Sequence, residues 1–405
     1  MNETNHAFLE ILTAAIHGRR AELHREITAN EWQTLFHIAG IHHVLPLFYE
    51  AVYTHPSLAD EQELLAAMKQ KVQRQVVLQT IRTGEFLELN DRLQNAGVKP
   101  LVVKGIVCRS LYTQPDHRPS GDEDVLIPEA QFALCHSVLT DFGMAAEAGA
   151  DSCEVPYRKT GSPLYIELHK SLFPPESDAY GDMNRFFTHA REWAVALEIQ
   201  DRTVYTMCPT DHLFYLICHA LKHFLHSGFG IRQVCDIVLF AHRYGGAVDW
   251  SRVLENCRAI RAEKFAAAVF AMGEHYLGVD GPAIWQEIKV DEVPMLEDVL
   301  AGGLYGDASM SRKHSSNITL DAVAVGKKGK KAKSGLVAAV FLPKSKLVGR
   351  YPYLKKHPCL LPVAWCSRLW SYGKEIRNAR NNNAADALKI GTERVALMKR
   401  YGIID

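Results

Sequence analysis

Residues 98–127 read VKPLVVKGIVCRSLYTQPDHRPSGDEDVLI, and this stretch decides the fold. Val98 to Lys104 is apolar and β-branched, which predicts a strand closed by Gly105. Ile106 to Tyr112 suits a short helix. Gln114 to Gly121 is rich in proline, serine and glycine and reads as a loop. Asp122 to Ile127 then predicts a second strand with acids at its entry. Successive side chains of a strand point to opposite faces, so Asp122 and Asp124 share one face and Glu123 takes the other.

Outward from this stretch the texture changes on both sides. Residues 1–95 are helical in pattern: Phe8, Leu9, Leu12 and Ile16 recur at helical spacing, as do Trp32, Leu35, Phe36 and Ala39. Residues 61–95 predict one long helix, with a break near Thr83–Gly84. Asn95-Ala96-Gly97 ends it. After the second strand, Pro128 to Phe142 predicts a helix opened by proline. Short β-like pieces follow at Met144–Glu147, Cys153–Arg158, Leu164–His169 and Arg202–Met207. From Pro209 the pattern turns helical again, with Thr210 as a cap for a helix to about His226, a second helix around Asp236–Phe240 and a third opened by Asp249 and Trp250. Gly326 to Gly335 (GKKGKKAKSG) is a basic run that reads as a solvated linker. A further helix is predicted from Pro362 to about Arg380.

The expected class is therefore α+β, a small mixed β-sheet core flanked by helical N- and C-terminal regions. The expected units are 1–95, helical; 96–207, the α+β core; 208–305, helical; and 306–405, a basic linker with a C-terminal helical segment.

Bulk composition narrows the function. The 405 residues carry 46 basic and 46 acidic side chains, so net charge selects neither nucleic acid nor a membrane surface. The longest apolar run near the end, Leu336 to Leu342, is far shorter than the roughly 20 residues a membrane span requires. The start MNETNHAFLEIL shows no signal peptide. Nine cysteines without a C-x-x-C pair argue against a disulfide framework or structural zinc, and a reducing cytoplasm is the expected setting.

The chemistry rests on the acids. Two carboxylates on one strand face, about 7 Å apart at Cα, can reach a common metal ion. Mg²⁺ binds one or two carboxylates together with phosphates. Glu167, in Tyr165–His169 (YIELH), supplies a third acid if its strand lies beside the first. It would then complete the metal site or serve as the base for an acceptor hydroxyl. Lys104-Gly105 at the end of the first strand and Arg118, Ser120 and Gly121 in the loop are the candidates for holding phosphates, by a helix N-terminus and by a bidentate guanidinium. Each feature has a plainer alternative. A lone D-x-D is commonly solvated charge, Lys-Gly after a strand is commonly a turn, and Glu167 could pair with a surface lysine.

With those residues in view a resemblance emerges. VVKGIVCRSLYTQPDHRPSGDEDVLI (102–127) resembles the bacterial family described as uncharacterised nucleotidyltransferases, within the DNA polymerase β-like superfamily. YIELH, HALKHFLH (219–226), IRQVCDIVLFAH (231–242), VDW (248–250) and LPVAWCSRL (361–369) are similar to that family in order. The resemblance implies a five-strand mixed sheet with helices on one side. It also implies Mg²⁺- or Mn²⁺-dependent transfer of a nucleoside monophosphate from an NTP. It assigns the metal-binding acids to Asp122, Asp124 and Glu167. Better-known relatives carry Gly-Ser at the phosphate turn, where this chain has Lys104-Gly105. The acceptor is open: a small molecule, a protein side chain or an RNA end. A binding or regulatory protein on an inactive fold is the alternative.

Other motifs rank lower. His219 and His223 lie one helical turn apart and could hold a metal, contact the nucleotide or acceptor, or simply pack, but no H-E-x-x-H pattern is present. His42-His43 sits inside an apolar helical pattern. No P-loop, nucleophile elbow or G-x-G-x-x-G occurs.

Overall fold

The computed structural model describes residues 1–23, 25–147, 153–174, 181–304, 312, 315, 319–320, 322–323, 344–347, 351–354, 356–367, 370 and 384–405. The basic run 326–335 lies outside them, as does much of the helix expected from Pro362.

Three helices open the chain: α1 (Glu3–Ile16), α2 (Ala29–Ile41) and α3 (Leu45–Val52). Thr28 and Glu31 close a reciprocal capping box at the start of α2, satisfying two N–H groups that the helix itself leaves bare. The apolar faces of these helices join one core with α7 (Pro209–His226), α8 (Ile231–Tyr244), α9 (Trp250–Ala259) and α10 (Glu263–Leu277), together with the end of the C-terminal helix Ala384–Arg400. Polar contacts pin α1 to α10. The Thr13 hydroxyl donates to the Tyr276 carbonyl at 2.8 Å, and His17 meets the Leu277 carbonyl at 3.0 Å.

Between them, α4 (Gln62–Asn95) runs unbroken for 34 residues, about 50 Å. The break expected at Thr83–Gly84 does not occur. A mid-helix glycine costs only about 1 kcal/mol. Gly84 faces open space, while Thr83 donates to the Gln79 carbonyl and to Asp116. Packing on both sides then outweighs the cost. Met68 and Val72 enter the helical core, and Phe86, Leu87, Leu89 and Leu93 enter a second core under the sheet.

That sheet has five strands: β1 (Leu101–Val102), β2 (Glu123–Leu126), β3 (Met144–Ala146), β4 (Glu154–Lys159) and β5 (Tyr165–His169), in the order β1-β2-β5-β4-β3. Only β2 and β5 pair in parallel, so the sheet is mixed. Short α5 (Ile106–Arg109) follows β1, and α6 (Phe132–Asp141) follows β2. Residues of α4 and α6 pack with Val102, Val125, Ile166 and Leu168 on one sheet face. The α+β architecture with helical flanks is as expected.

A strand that went unread, β6 (Val195–Ile199), pairs with β7 (Arg202–Thr206). The Thr206 hydroxyl ties this hairpin to the Val102 carbonyl of β1 at 2.6 Å. The cap of α7 also differs. Pro209 is the first helical residue and Cys208 the cap, and Thr210 instead accepts from the Asp249 N–H at 2.9 Å, which braces the start of α9. Asp249 caps α9 as expected, accepting from the Arg252 N–H. No helix among the described residues is long and apolar enough to cross a membrane.

Candidate active-site cleft

The register of β2 and β5 builds the site. Parallel pairing sets Asp124 directly beside Glu167 and Leu126 beside His169. Leu164, just before β5, and Ile166 and Leu168 within it go into the core under the sheet, so Glu167 and His169 take the opposite face. That face opens into a cleft of about 360 Å³, lined on the sheet side by Asp122, Asp124, Glu154, Glu167 and His169. One ligand atom each from Asp124, Glu167 and His169 lies within 4.8 Å of the others, so this trio could hold a metal ion. Carboxylate oxygens suit Mg²⁺ and Mn²⁺, and the imidazole is a common transition-metal ligand.

Charge in the cleft is unevenly balanced. The Lys104 ammonium, leaving the end of β1, lies 2.7 Å from Asp124 Oδ2, and His169 Nε2 lies 3.2 Å from Asp124 Oδ1. Burial alone would raise the Asp124 carboxyl. Lys104 and His169 overcome that and hold it well below the usual range. His169 is raised: burial opposes its charge, but the hydrogen bond to Asp124 and the nearby Glu154 and Glu167 favour it. Glu167 is pushed up to about 7, chiefly by burial and then by the like charges of Asp124 and Asp122. Three carboxylates thus share one small space, and their mutual repulsion falls on Glu167.

The opposite wall is α7. Tyr215, His219, Lys222 and His223 recur at helical spacing and line the same cleft. His219 Nε2 lies 3.3 Å from the Lys104 ammonium and 3.3 Å from His223 Nε2. Burial, and then Lys104, keeps both imidazoles neutral, His223 at about 3.

Of the residues singled out in the sequence, Asp122, Asp124, Glu167 and Lys104 meet in the cleft, whereas Gly105, Arg118, Ser120 and Gly121 do not line it. Arg118 is the clearest departure. Its guanidinium is 2% exposed and closes on the Asp236 carboxylate of α8, with Nε at 2.9 Å, while the Tyr112 hydroxyl donates to the same carboxylate at 2.8 Å. The fork expected to clamp a phosphate clamps the protein. Ser120 accepts from Arg109, and its N–H donates to Gln79 at 2.8 Å. The start of α5 is occupied too: the Ile106 N–H donates to Glu123 Oε2 at 2.7 Å. Gly105 has φ of +52°, and a Cβ there would stand 1.9 Å from Glu123 Oε2, so glycine serves close approach of backbone to a carboxylate of the chain itself.

His169, Glu154, Lys222 and Tyr215 went unread as cleft residues. The alternation of YIELH put His169 on the face of Glu167 and was the available signal.

The profile of the family described as uncharacterised nucleotidyltransferase matches residues 28–278 of the chain, which takes in α2 through α10 and the whole cleft. A search of the curated proteins finds no match. Among solved structures, an antigenic nucleotidyltransferase-like protein from Paracoccidioides brasiliensis is similar at 15% identity and a TM-score of 0.32, over 51% of this chain and 94% of that one.

Proposed function

The chain belongs to the family of uncharacterised nucleotidyltransferases, and we propose that it transfers a nucleoside monophosphate from a nucleoside triphosphate to a hydroxyl acceptor. The observation that carries this reading is the parallel register of β2 and β5, which joins Asp124 and Glu167 across two strands and opens both to one cleft with Asp122.

Asp122, Asp124 and Glu167 would hold Mg²⁺ or Mn²⁺, and the donors fit, since Asp124 and Glu167 offer oxygens within 4.8 Å of each other and carboxylate oxygens dominate the set. When bound, the ion supplies neutralisation of phosphate charge and polarisation of the reacting oxygens. Glu167 takes the proton of the acceptor hydroxyl, whose oxygen forms the new bond to the α-phosphorus. The bond from that phosphorus to its bridging oxygen breaks, and pyrophosphate leaves with the electron pair. Lys104, at the floor between the acids and α7, opposes the charge of the phosphates.

One observation favours a second reading, a nucleotide-binding protein without transfer. The Lys104 ammonium sits 2.7 Å from Asp124, where the chain's own cation meets the acid that a metal would need. Labelled NTP, Mg²⁺ or Mn²⁺ and a cell extract separate the two. Transfer of label that is lost in Glu167→Gln, with NTP binding retained, supports the enzyme. Metal-dependent NTP binding with no label transferred to any fraction supports the binder.

A further inference from the structure

The cleft as built poses a problem for its proposed substrate. A triphosphate is strongly anionic, and the sheet wall presents Asp122, Asp124, Glu154 and Glu167. Like charges at such range repel strongly once water is thinned out. Apart from Lys104, which also meets Asp124, the anchors that could offset this near β1 and the loop are already spent. Arg118 is closed on Asp236, Ser120 on Arg109 and Gln79, and the first N–H of α5 on Glu123. Beyond a bound metal and Lys104, further positive charge for the phosphates has to come from the facing wall.

We propose that α7 supplies it: Lys222, together with Lys104, forms the seat for the triphosphate, on the wall facing the acids. The inference rests on the reading of the cleft as an NTP site and assigns the side on which the phosphate chain lies. Lys222 is half-buried on the cleft side of α7, one residue from His223 and three from His219. No ion pair holds it among the described residues. The Lys104 ammonium lies between the two walls, 2.7 Å from Asp124 and 3.3 Å from neutral His219, which accepts from it. His219 is thus a positioning residue. The metal then lies against the sheet and the phosphates against the helix, so the two walls divide the charges between them.

The division gives an asymmetric test. Calorimetry on the full chain measures Mn²⁺ alone, Mn²⁺ with inorganic tripolyphosphate, and Mn²⁺ with an NTP. Lys222→Gln should weaken tripolyphosphate and NTP about tenfold each, the scale of one charge-assisted contact. It should leave affinity for Mn²⁺ alone unchanged or tighter, because a cation facing the acids has been removed. Lys222→Arg should restore phosphate binding. A folding defect would weaken Mn²⁺ in parallel, and that outcome overturns the inference, as does tripolyphosphate binding equal to wild type. If the wild-type chain binds neither NTP nor tripolyphosphate, the parent reading fails with it. If the wild-type chain binds both and Lys222→Gln binds equally, only the α7 seat fails.

Discussion

The two faces of β2 are made from three consecutive acids and have opposite fates. Glu123 points under the sheet, 0% exposed, where Arg109 meets it at 2.5 Å and the Ile106 N–H closes its second oxygen. Gln79 and Arg82 of α4 reach the neighbouring Ser120, so the loop before the strand is tied down from below. Asp122 and Asp124 point the other way, into a cleft where they face Glu167 and two cationic side chains of longer reach. A buried ion pair with both carboxylate oxygens answered is architecture. Asp124 is answered by Lys104 and His169, and the like-charge repulsion of the group falls on Glu167. The difference separates the acid that holds the fold from the acids available for chemistry.

That comparison predicts its largest effect on stability. Glu123→Ala leaves Arg109 charged, buried and unpaired, and should cost about 3–5 kcal/mol, read as a fall in urea midpoint or Tm. Asp124→Asn gives up the charge that Lys104 and His169 hold but relieves the repulsion on Glu167, so it should cost less, about 1–2 kcal/mol. Equal losses in the two variants would erase the distinction between the faces.

A smaller effect follows along α7, which passes from the closed side to the cleft. His219 faces the cleft, but His212, two turns earlier, is fully buried against the Thr206 hydroxyl at 2.9 Å. Burial pushes His212 down to about 4. The unfolded chain protonates near the ordinary 6.5, before the folded one, so stability is full above that pH and falls as pH drops toward 4. The loss attributable to this residue is about 1–3 kcal/mol. Thermal melts from pH 7.5 to 4.5 should fall less steeply in His212→Gln than in wild type. Parallel slopes would mean that His212 is not held neutral by the fold.

Much of this was legible in the sequence, and the parts that were not share a cause. Alternation in DEDVLI and LYIELH set the facing of the acids, because a strand's period is fixed by backbone geometry. The pairing of β5 beside β2 was a condition that alternation alone leaves open, and the register meets it. Arg118 was misread because its partner, Asp236, is 118 residues away, and no local pattern announces a bond of that range. The hairpin of β6 and β7 escaped because its turn is Gln200-Asp201, both at positive φ, in place of the Asn-Gly or Asp-Gly that marks such turns. The long helix α4 was legible, and only the break near Thr83–Gly84 was wrong, because one glycine looks like a stop until two separate cores are seen to hold the helix on either side of it.

The central claim is that the cleft face of β2 joins a divalent ion to a nucleoside triphosphate. Calorimetric titration of the full chain with an NTP, with and without Mn²⁺, tests it most directly. The account predicts affinity at least about tenfold tighter with Mn²⁺, and loss of that gain in the Asp122→Asn, Asp124→Asn double variant, whose thermal unfolding stays cooperative. Binding that ignores Mn²⁺, or that is equal in the double variant, would contradict it.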